Sequence, residues 1–166
     1  MVRVARVDIA SPLAARLIAR LDAELSATYP EEGATHFRLD GHEVAPGRGG
    51  FFVMHVDGVP SGPVADAVAC GALRLLDAER EASGVRAELK RMFVVPEARG
   101  RGLSRVLLAA LEGEARALGA SAVVLETGAR QTAAIALYRS SGYRDIEPFG
   151  EYVGSPLSLC LGKPLR

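Results

Sequence analysis

The sequence predicts one mixed α/β domain over residues 1–166, with a central sheet covered by helices on both faces. Three observations predict it. The 166 residues are 49% hydrophobic, which is enough for one sizeable core. Several short apolar runs have the length and composition of strands, and amphipathic helical patterns separate the later ones. No repeat, low-complexity tract or linker-like segment divides the chain.

The first half of the chain predicts one helix followed by strands. Ser11 and Pro12 are a typical N-cap and first-turn pair, and Tyr29-Pro30 ends the helix. Its apolar stripe recurs every four residues, at Leu13, Leu17, Leu21 and Leu25. Strand patterns then follow at 51–57, 68–76 and 85–95. We therefore expect three strands before the second helix.

The second half alternates helices and strands. A helix is predicted over about 102–118, because an apolar face precedes a glycine stop at Gly119. That face includes Leu103, Val106, Leu107 and Leu111. A short buried strand at 123–125, a helix beginning at Gln131 and a last strand at 156–161 complete the pattern.

Residues 92–108 predict an anion-binding turn, since an apolar strand passes through Pro96 into a glycine-rich turn and a helix. Gly100 and Gly102 allow the backbone to approach a ligand closely, and the helix behind them offers unpaired amides and a positive dipole end. Three arginines add positive charge: Arg99, Arg101 and Arg105. This combination suits a pyrophosphate.

The two best-known phosphate motifs do not fit this turn. A Walker loop needs a lysine after glycine, but Lys90 and Lys163 are the only lysines and neither has that context. A Rossmann fingerprint needs Gly-x-Gly-x-x-Gly in the first βα turn, whereas this turn lies in the middle of the chain and reads Gly-x-Gly-x-Ser. A nucleotide-triphosphate enzyme is therefore disfavoured.

The pattern that fits is Val-x-Pro-x-x-Arg-x-x-Gly-x-Ser, from Val94 to Ser104. It resembles the acyl-CoA-binding motif of the GNAT superfamily of N-acetyltransferases, with serine as the last small residue. A second block, from Gln131 through Leu137-Tyr138 to Gly142-Tyr143, is similar to the family's Asn-x-x-Ala-x-x-Leu-Tyr-x-x-x-Gly-Phe signature. Two blocks in this order make the resemblance specific, and it covers roughly residues 50–163.

The resemblance implies a mostly antiparallel sheet that splays open beside the motif strand, with acetyl-CoA as co-substrate and no metal. In that arrangement the edge of Met92, Phe93 and Val94 pairs with pantetheine. The backbone of the turn would hold the pyrophosphate, and Gln131 takes the usual asparagine place. The turn comprises Arg99, Gly100, Arg101, Gly102, Leu103 and Ser104.

The catalytic residues implied by the resemblance are a tyrosine and a glutamate. Tyr138 occupies the place of a general acid near the CoA sulfur, and Glu88 on the motif strand that of a general base acting through water. A packed core tyrosine and a solvated ion-pair partner are the competing interpretations. Glu126 is an alternative base or a contact for a cationic substrate, and water alone is a third possibility.

The implied activity is transfer of an acetyl group to a primary amine of a small molecule such as an amino acid, in a ternary complex. Protein or peptide acetylation and a non-catalytic acyl-CoA-binding module are the alternatives. By resemblance, the segment after the first helix lines the acceptor cleft. Its candidate contacts are Tyr29, His36, Phe37 and Arg38.

The composition narrows the partners and the location. Twenty basic and twenty acidic residues give no net charge, which disfavours nucleic-acid binding. No apolar run reaches the length of a membrane helix, and no signal pattern is found at the N-terminus, so we expect a cytoplasmic protein. Two cysteines and three histidines without ligand spacing predict no metal site. The resemblance also implies a homodimer.

Overall fold

A computed structural model describes residues 1–31, 38–61, 67–76 and 84–165. Within these residues, seven strands form one sheet in the order β1-β2-β3-β4-β5-β7-β6. Only the β4–β5 pair among them is parallel. The strands are β1 (Val2–Val7), β2 (Gly49–Val56), β3 (Ala67–Leu75), β4 (Arg86–Val94), β5 (Ala122–Gly128), β6 (Arg144–Asp145) and β7 (Ser158–Pro164).

Three α-helices occur in the described part of the chain: α1 (Pro12–Thr28), α2 (Leu103–Ala117) and α3 (Thr132–Ser140). Short 3-10 helices lie at Gly41–Val44, Pro96–Ala98 and Gly150–Tyr152. The predicted mixed α/β fold with a mostly antiparallel sheet is confirmed. None of the described helices combines the length and hydropathy needed to cross a membrane.

The expectation of three strands before the second helix is wrong, because β1 adds a fourth. It pairs with β2 from Val2↔Val56 to Val7↔Phe51, across about fifty residues of sequence. As an edge strand it carries arginines among its valines and is largely exposed, so its hydrophobic signal is weak. Long-range pairing, rather than local pattern, determines this strand.

The first helix begins as predicted. The Ser11 hydroxyl accepts a hydrogen bond from the Ala14 amide at 3.3 Å, and proline occupies the first turn. Leu17 is fully buried and Leu21 is 7% exposed, whereas the stripe's first and last leucines are only partly buried. The stripe therefore packs α1 onto the core cluster.

The predicted inward face of α2 is correct except at Val106, which is 44% exposed. The stripe runs instead through Leu103, Leu107, Leu108, Leu111 and Ala115. The buried face includes Leu108 and excludes Val106. It is therefore centred about one residue further along the helix than the sequence predicted. The helix begins only after Gly102, which holds a left-handed conformation at its N-cap.

Strands β4 and β5 separate near their middle. Their pairing runs from Arg86↔Ala122 to Leu89↔Leu125 and then stops, although both strands continue. At the same level the β3–β4 register shifts, so that Arg91 and Met92 lie opposite Gly71. Arg91 has a φ of 59°, which turns the bulged backbone. The result is a wedge between two strands of one sheet.

Gly71 leaves the space that this bulge needs. A Cβ built there would lie 2.7 Å from Leu111 Cδ1 and 3.3 Å from Met92 Cγ. Gly71 therefore faces α2, and because side chains alternate along β3, Arg74 points to the opposite face of the sheet. That opposite face carries the charged groups described below.

Two substitutions in α2 test the packing of this helix. Leu107→Ala should lower the free energy of unfolding by about 2–5 kcal/mol, because it leaves a cavity in the core. Val106→Ala, one residue away but exposed, should change it by less than about 0.5 kcal/mol. Urea unfolding measures both, and similar losses for the two variants would contradict the described orientation of the helix.

Candidate active site

Two cavities meet in the wedge between β4 and β5. The larger has a volume of about 470 Å³ and lies between the β4–α2 turn, α1 and the start of α3. The smaller has a volume of about 110 Å³ and continues toward β5 and the last 3-10 helix. The residues that line both are Leu21, Leu25, Met92, Gln131, Ala134 and Tyr138.

The turn between β4 and α2 presents a run of unused amides to the larger cavity. Gly100 and Gly102 have φ values of 77° and 72°, and a Cβ at either position would meet no atom within 4 Å. Among the described residues, the backbone N–H groups of residues 100–104 donate no hydrogen bond within the protein. Five consecutive amides at a helix N-terminus fit an anionic group such as a pyrophosphate.

Two of the three arginines of this turn, Arg99 and Arg105, are already engaged. Arg99 donates to the Val94 carbonyl at 3.0 Å and to both oxygens of Glu24 at 2.9 and 2.7 Å, and its own backbone amide bonds Pro96 at 3.3 Å. Arg105 donates to the Ser140 hydroxyl at 2.7 Å. Backbone amides from Gly100 onward, rather than the Arg99 side chain, are therefore the free donors of the turn.

The structure brings most of the predicted donor-site residues to one cavity. The larger cavity is lined by Met92, Phe93, Val94, Arg99, Gly100, Gly102, Leu103, Ser104 and Gln131. Arg101 does not line it and is exposed on the turn. The donor-binding roles of these residues stay predictions. Their position around one cavity is consistent with those roles.

Tyr138 lies where the two cavities meet. The residue is 7% exposed, and its ring packs edge-on against Tyr143 at 5.6 Å between centroids. Burial, and then the charge of Glu126, raise the pKa of the Tyr138 phenol. No hydrogen bond of its hydroxyl to the described part of the protein is found. The phenol is therefore held in its protonated form at the junction.

Glu88 lies behind the smaller cavity and does not line it. The side chain is fully buried and receives Arg74 Nε at 2.7 Å on one oxygen and the Tyr152 hydroxyl at 2.5 Å on the other. Lys90 Nζ lies 3.8 Å from the same carboxylate. Tyr152 and Lys90 both line that cavity and both approach Glu88, so they separate it from the cavity, and its base role stays a prediction.

Five charged side chains and one tyrosine form a connected group on this face, here called the buried charged cluster. Lys90 donates to the Tyr152 hydroxyl at 2.8 Å and to Glu151 at 3.0 Å, and Arg74 also binds Glu43. The members are Glu43, Arg74, Glu88, Lys90, Glu151 and Tyr152. Lys90 and Tyr152 form part of the wall of the smaller cavity.

Sequence reasoning missed Tyr152 as a site residue. It is 62 and 64 residues from its two partners, and its ring contacts Phe149 at 5.2 Å. A signal existed in the glycines that flank it, since Gly150 and Gly154 both have positive φ and shape a tight turn. This turn lies between the two-residue strand β6 and the last strand β7, and it brings Tyr152 back to the sheet.

Of the candidate acceptor contacts, Tyr29 lines the smaller cavity and is 4% exposed. Its hydroxyl accepts from the Arg130 amide at 2.8 Å, and a Cβ at Gly128 would lie 2.0 Å from that oxygen. Arg38 pairs with Asp40 at 3.0 Å instead. His36 and Phe37 lie outside the described residues. Glu126 and Thr127, at the end of β5, also line this cavity.

No group of three or more His, Cys, Asp or Glu side chains suited to a metal ion occurs among residues 1–31, 38–61, 67–76 and 84–165. Cys70 and Cys160 are buried free thiols, and burial raises the pKa of Cys70 to about 12.

Comparison with known proteins identifies the class to which this site belongs. The sequence model of the acetyltransferase (GNAT) family matches residues 15–143. An IAA acetyltransferase of Azospirillum brasilense is 40% identical over 164 residues, which span 99% of this chain and 98% of that protein. The chain therefore belongs to the GNAT family, whose members use acetyl-CoA.

Solved structures agree with this assignment. A Klebsiella pneumoniae protein provisionally assigned as an acyl-CoA N-acyltransferase superposes with a TM-score of 0.78 at 32% identity, covering 100% of this chain and 99% of that one. A GNAT acetyltransferase of Elizabethkingia anophelis with acetyl-CoA bound shares the fold, with a TM-score of 0.65 at 16% identity over 99% and 98% of the chains. The protein is an acyl-CoA-dependent N-acyltransferase.

Substitution of a turn glycine tests the amide run. Gly102→Ala introduces a left-handed alanine at a cost of about 1–2 kcal/mol, which the turn relieves by rotating its amides away from the cavity. Loss of one amide–phosphate hydrogen bond, worth about 1.5 kcal/mol, should raise the acetyl-CoA Kd about tenfold in calorimetry.

Gly154→Ala is the matched control for this substitution. Its φ is 80°, a Cβ there would also meet no atom within 4 Å, and the residue lines neither cavity. It should cost similar stability and leave the acetyl-CoA Kd unchanged. Equal Kd values for Gly102→Ala and the wild type would contradict the assignment of the turn.

Proposed function

We propose that the protein transfers the acetyl group of acetyl-CoA directly to a primary amine of a small molecule, such as an amino acid, within a ternary complex. The observation that carries this proposal is the meeting of two cavities of unequal size at Met92 and Tyr138. A donor in the larger cavity and an acceptor in the smaller one would bring their reacting atoms together there.

The size of the smaller cavity favours a small acceptor. Its volume of about 110 Å³ is about a quarter of the 470 Å³ of the donor cavity, so it suits an acceptor much smaller than the donor. A short amine fits such a space. The acetyltransferase of Azospirillum brasilense is compatible with a small-molecule acceptor, but its name does not fix the acceptor here.

The charge around the two cavities also favours an amine. The smaller cavity borders the buried charged cluster, in which three carboxylates face two cations, and Glu126 lies in its wall. An ammonium ion is attracted to that end. The larger cavity has the free amides of the turn and the arginines that flank them, which attract an anionic donor.

Acetyl-CoA, when bound, supplies an activated acyl group on a thiol leaving group. The amides of residues 100–104 would hold its pyrophosphate, and the unpaired edge of β4 after Leu89 would accept its pantetheine arm as an added strand. Tyr138 would donate its phenolic proton to the leaving sulfur. The acceptor's proton would leave toward Glu88, toward Glu126 or to water.

Thermal unfolding with acetyl-CoA, CoA, ATP and NAD in parallel tests the donor. Acetyl-CoA and CoA should raise the midpoint, since a ligand at 100 times its Kd stabilises the folded state by about 2.7 kcal/mol, whereas ATP and NAD should not. Release of CoA thiol is then followed with glycine, L-lysine, putrescine, spermidine and a tripeptide. Preference for the tripeptide would favour a peptide acetyltransferase, and no release with any amine would refute the proposal.

Removal of one hydroxyl tests the general acid. Tyr138→Phe should lower kcat by at least about 100-fold, the usual contribution of acid–base catalysis, and leave the acetyl-CoA Kd unchanged. The acid must be protonated, and the raised pKa of Tyr138 moves loss of that proton to higher pH. As the pH is raised, the wild-type kcat should therefore not decrease until the pH exceeds about 10, the ordinary phenol pKa. An unchanged rate in the variant would remove this assignment.

Three further expectations stay predictions: one domain over residues 1–166, a cytoplasmic location and, from the resemblance, a homodimer. Equilibrium sedimentation would test the dimer.

A further inference from the structure

The chemical nature of its two partners determines which atom donates in each hydrogen bond of the Tyr152 hydroxyl. A lysine ammonium can only donate, so the 2.8 Å contact runs from Lys90 Nζ to the Tyr152 oxygen. An ionised carboxylate can only accept, so the 2.5 Å contact runs from the Tyr152 hydroxyl to Glu88 Oε1. The phenolic proton of Tyr152 is therefore directed away from Lys90 and at Glu88.

Tyr152 also connects the smaller cavity with a carboxylate that the cavity does not reach. The tyrosine lines the cavity, whereas Glu88 is fully buried behind it. Burial, followed by the charge of Glu88, raises the pKa of Tyr152, so the phenol stays protonated. A proton that arrives at this oxygen is consequently passed on to Glu88, and Tyr152 itself does not change its charge.

The two cations of the charged cluster do not depend on Glu88 alone. Glu43, Glu88 and Glu151 face Arg74 and Lys90, and Glu151 is itself exposed to solvent. If Glu88 takes a proton, Arg74 keeps its pair with Glu43 and Lys90 keeps its pair with Glu151. Protonation of Glu88 therefore leaves neither cation without a carboxylate, which limits its cost in a buried site.

We propose that Tyr152 is a further catalytic residue, which contacts the acceptor amine and relays its proton to Glu88. This inference rests on the function proposed above. It assigns the base role to Glu88 through Tyr152, instead of through free water or through Glu126. Lys90 and Arg74 are positioning residues, since they orient the phenol and the carboxylate without contacting the amine.

The protons balance over one turnover. The acceptor ammonium gives one proton to the Tyr152 oxygen while the phenol gives its own to Glu88, which leaves a neutral amine with its lone pair. The amine nitrogen then bonds to the acyl carbon, the carbon–sulfur bond breaks, and the thiolate takes the proton of Tyr138. The second nitrogen proton restores Tyr138, and Glu88 releases its proton to solvent.

The test measures kcat/KM against pH for wild type and Tyr152→Phe, with the fastest amine of the panel above. The relay matters only while the amine is an ammonium ion. The variant should therefore lose at least about 100-fold at pH 7, and the loss should shrink about tenfold per pH unit toward the amine pKa. Phenylalanine keeps the ring contact with Phe149, and equal acetyl-CoA Kd values and thermal midpoints show that the fold is retained.

Tyr143→Phe is the matched control, because that fully buried tyrosine also donates to a carboxylate, Glu112 at 3.1 Å, and lines neither cavity. It should leave the pH profile unchanged. Glu88→Gln keeps an oxygen that accepts from Tyr152 but cannot take the proton, and it should reproduce the Tyr152→Phe profile. If Tyr152→Phe is poorly folded, an unchanged pH profile in this second variant still overturns the relay.

The charged and titratable groups around Glu88 come from several elements: Glu43 on the first 3-10 helix, Arg74 on β3, Arg86 and Lys90 on β4, Glu126 on β5, Cys160 on β7, and Glu151 with Tyr152 on the last 3-10 helix. Glu126→Gln is therefore the competing variant. If it alone changes the pH profile, or if the loss in Tyr152→Phe is independent of pH, the relay is overturned. Failure of the wild type with every amine would instead refute the proposed function, and the relay with it.

Discussion

The early end of the β4–β5 pairing is the constraint on which the site depends. Four parallel pairs, the last between Leu89 and Leu125, hold the two halves of the sheet together, and beyond them each strand keeps only its outer neighbour. The unused edge of β4 and the end of β5 then face each other across a gap. Both cavities form in that gap, and the β4–α2 turn and the first turn of α3 close its wide end.

Several residues serve to keep this gap open. The bulge at Arg91, accommodated by Gly71, turns the free edge of β4, and Gly128 lets Tyr29 pack directly on the end of β5. Helix α1 and the residues just after it cross the opening and are joined to the rest of the protein by ion pairs, among them Glu24 with Arg99 and Glu31 with Arg130. These pairs are exposed and individually weak, so buried leucines such as Leu17 supply most of the helix's attachment.

Local sequence predicted the local parts of the site. The strand, glycine turn and helix that contain Gly102 are consecutive, and the left-handed conformation of that glycine follows from its residue type. The relation between Glu88 and Tyr152 could not be predicted, because 64 residues separate them and only the sheet brings them together. The edge strand β1 was missed for the same reason. Val106 was misplaced because the five leucines and alanines at 107–111 allow more than one apolar face on the same helix.

The ion pairs of the buried charged cluster limit which amino-acid substitutions the protein can accept during evolution. Removing one member of a buried ion pair costs about 3–5 kcal/mol, a large part of the 5–15 kcal/mol that stabilises a typical domain. Loss of a buried charge in this cluster is therefore tolerated best when its partner changes as well. Single replacements are tolerated more easily at a small uncharged residue in the wall of the smaller cavity, such as Thr127, and lineages that diverge in acceptor should differ there first.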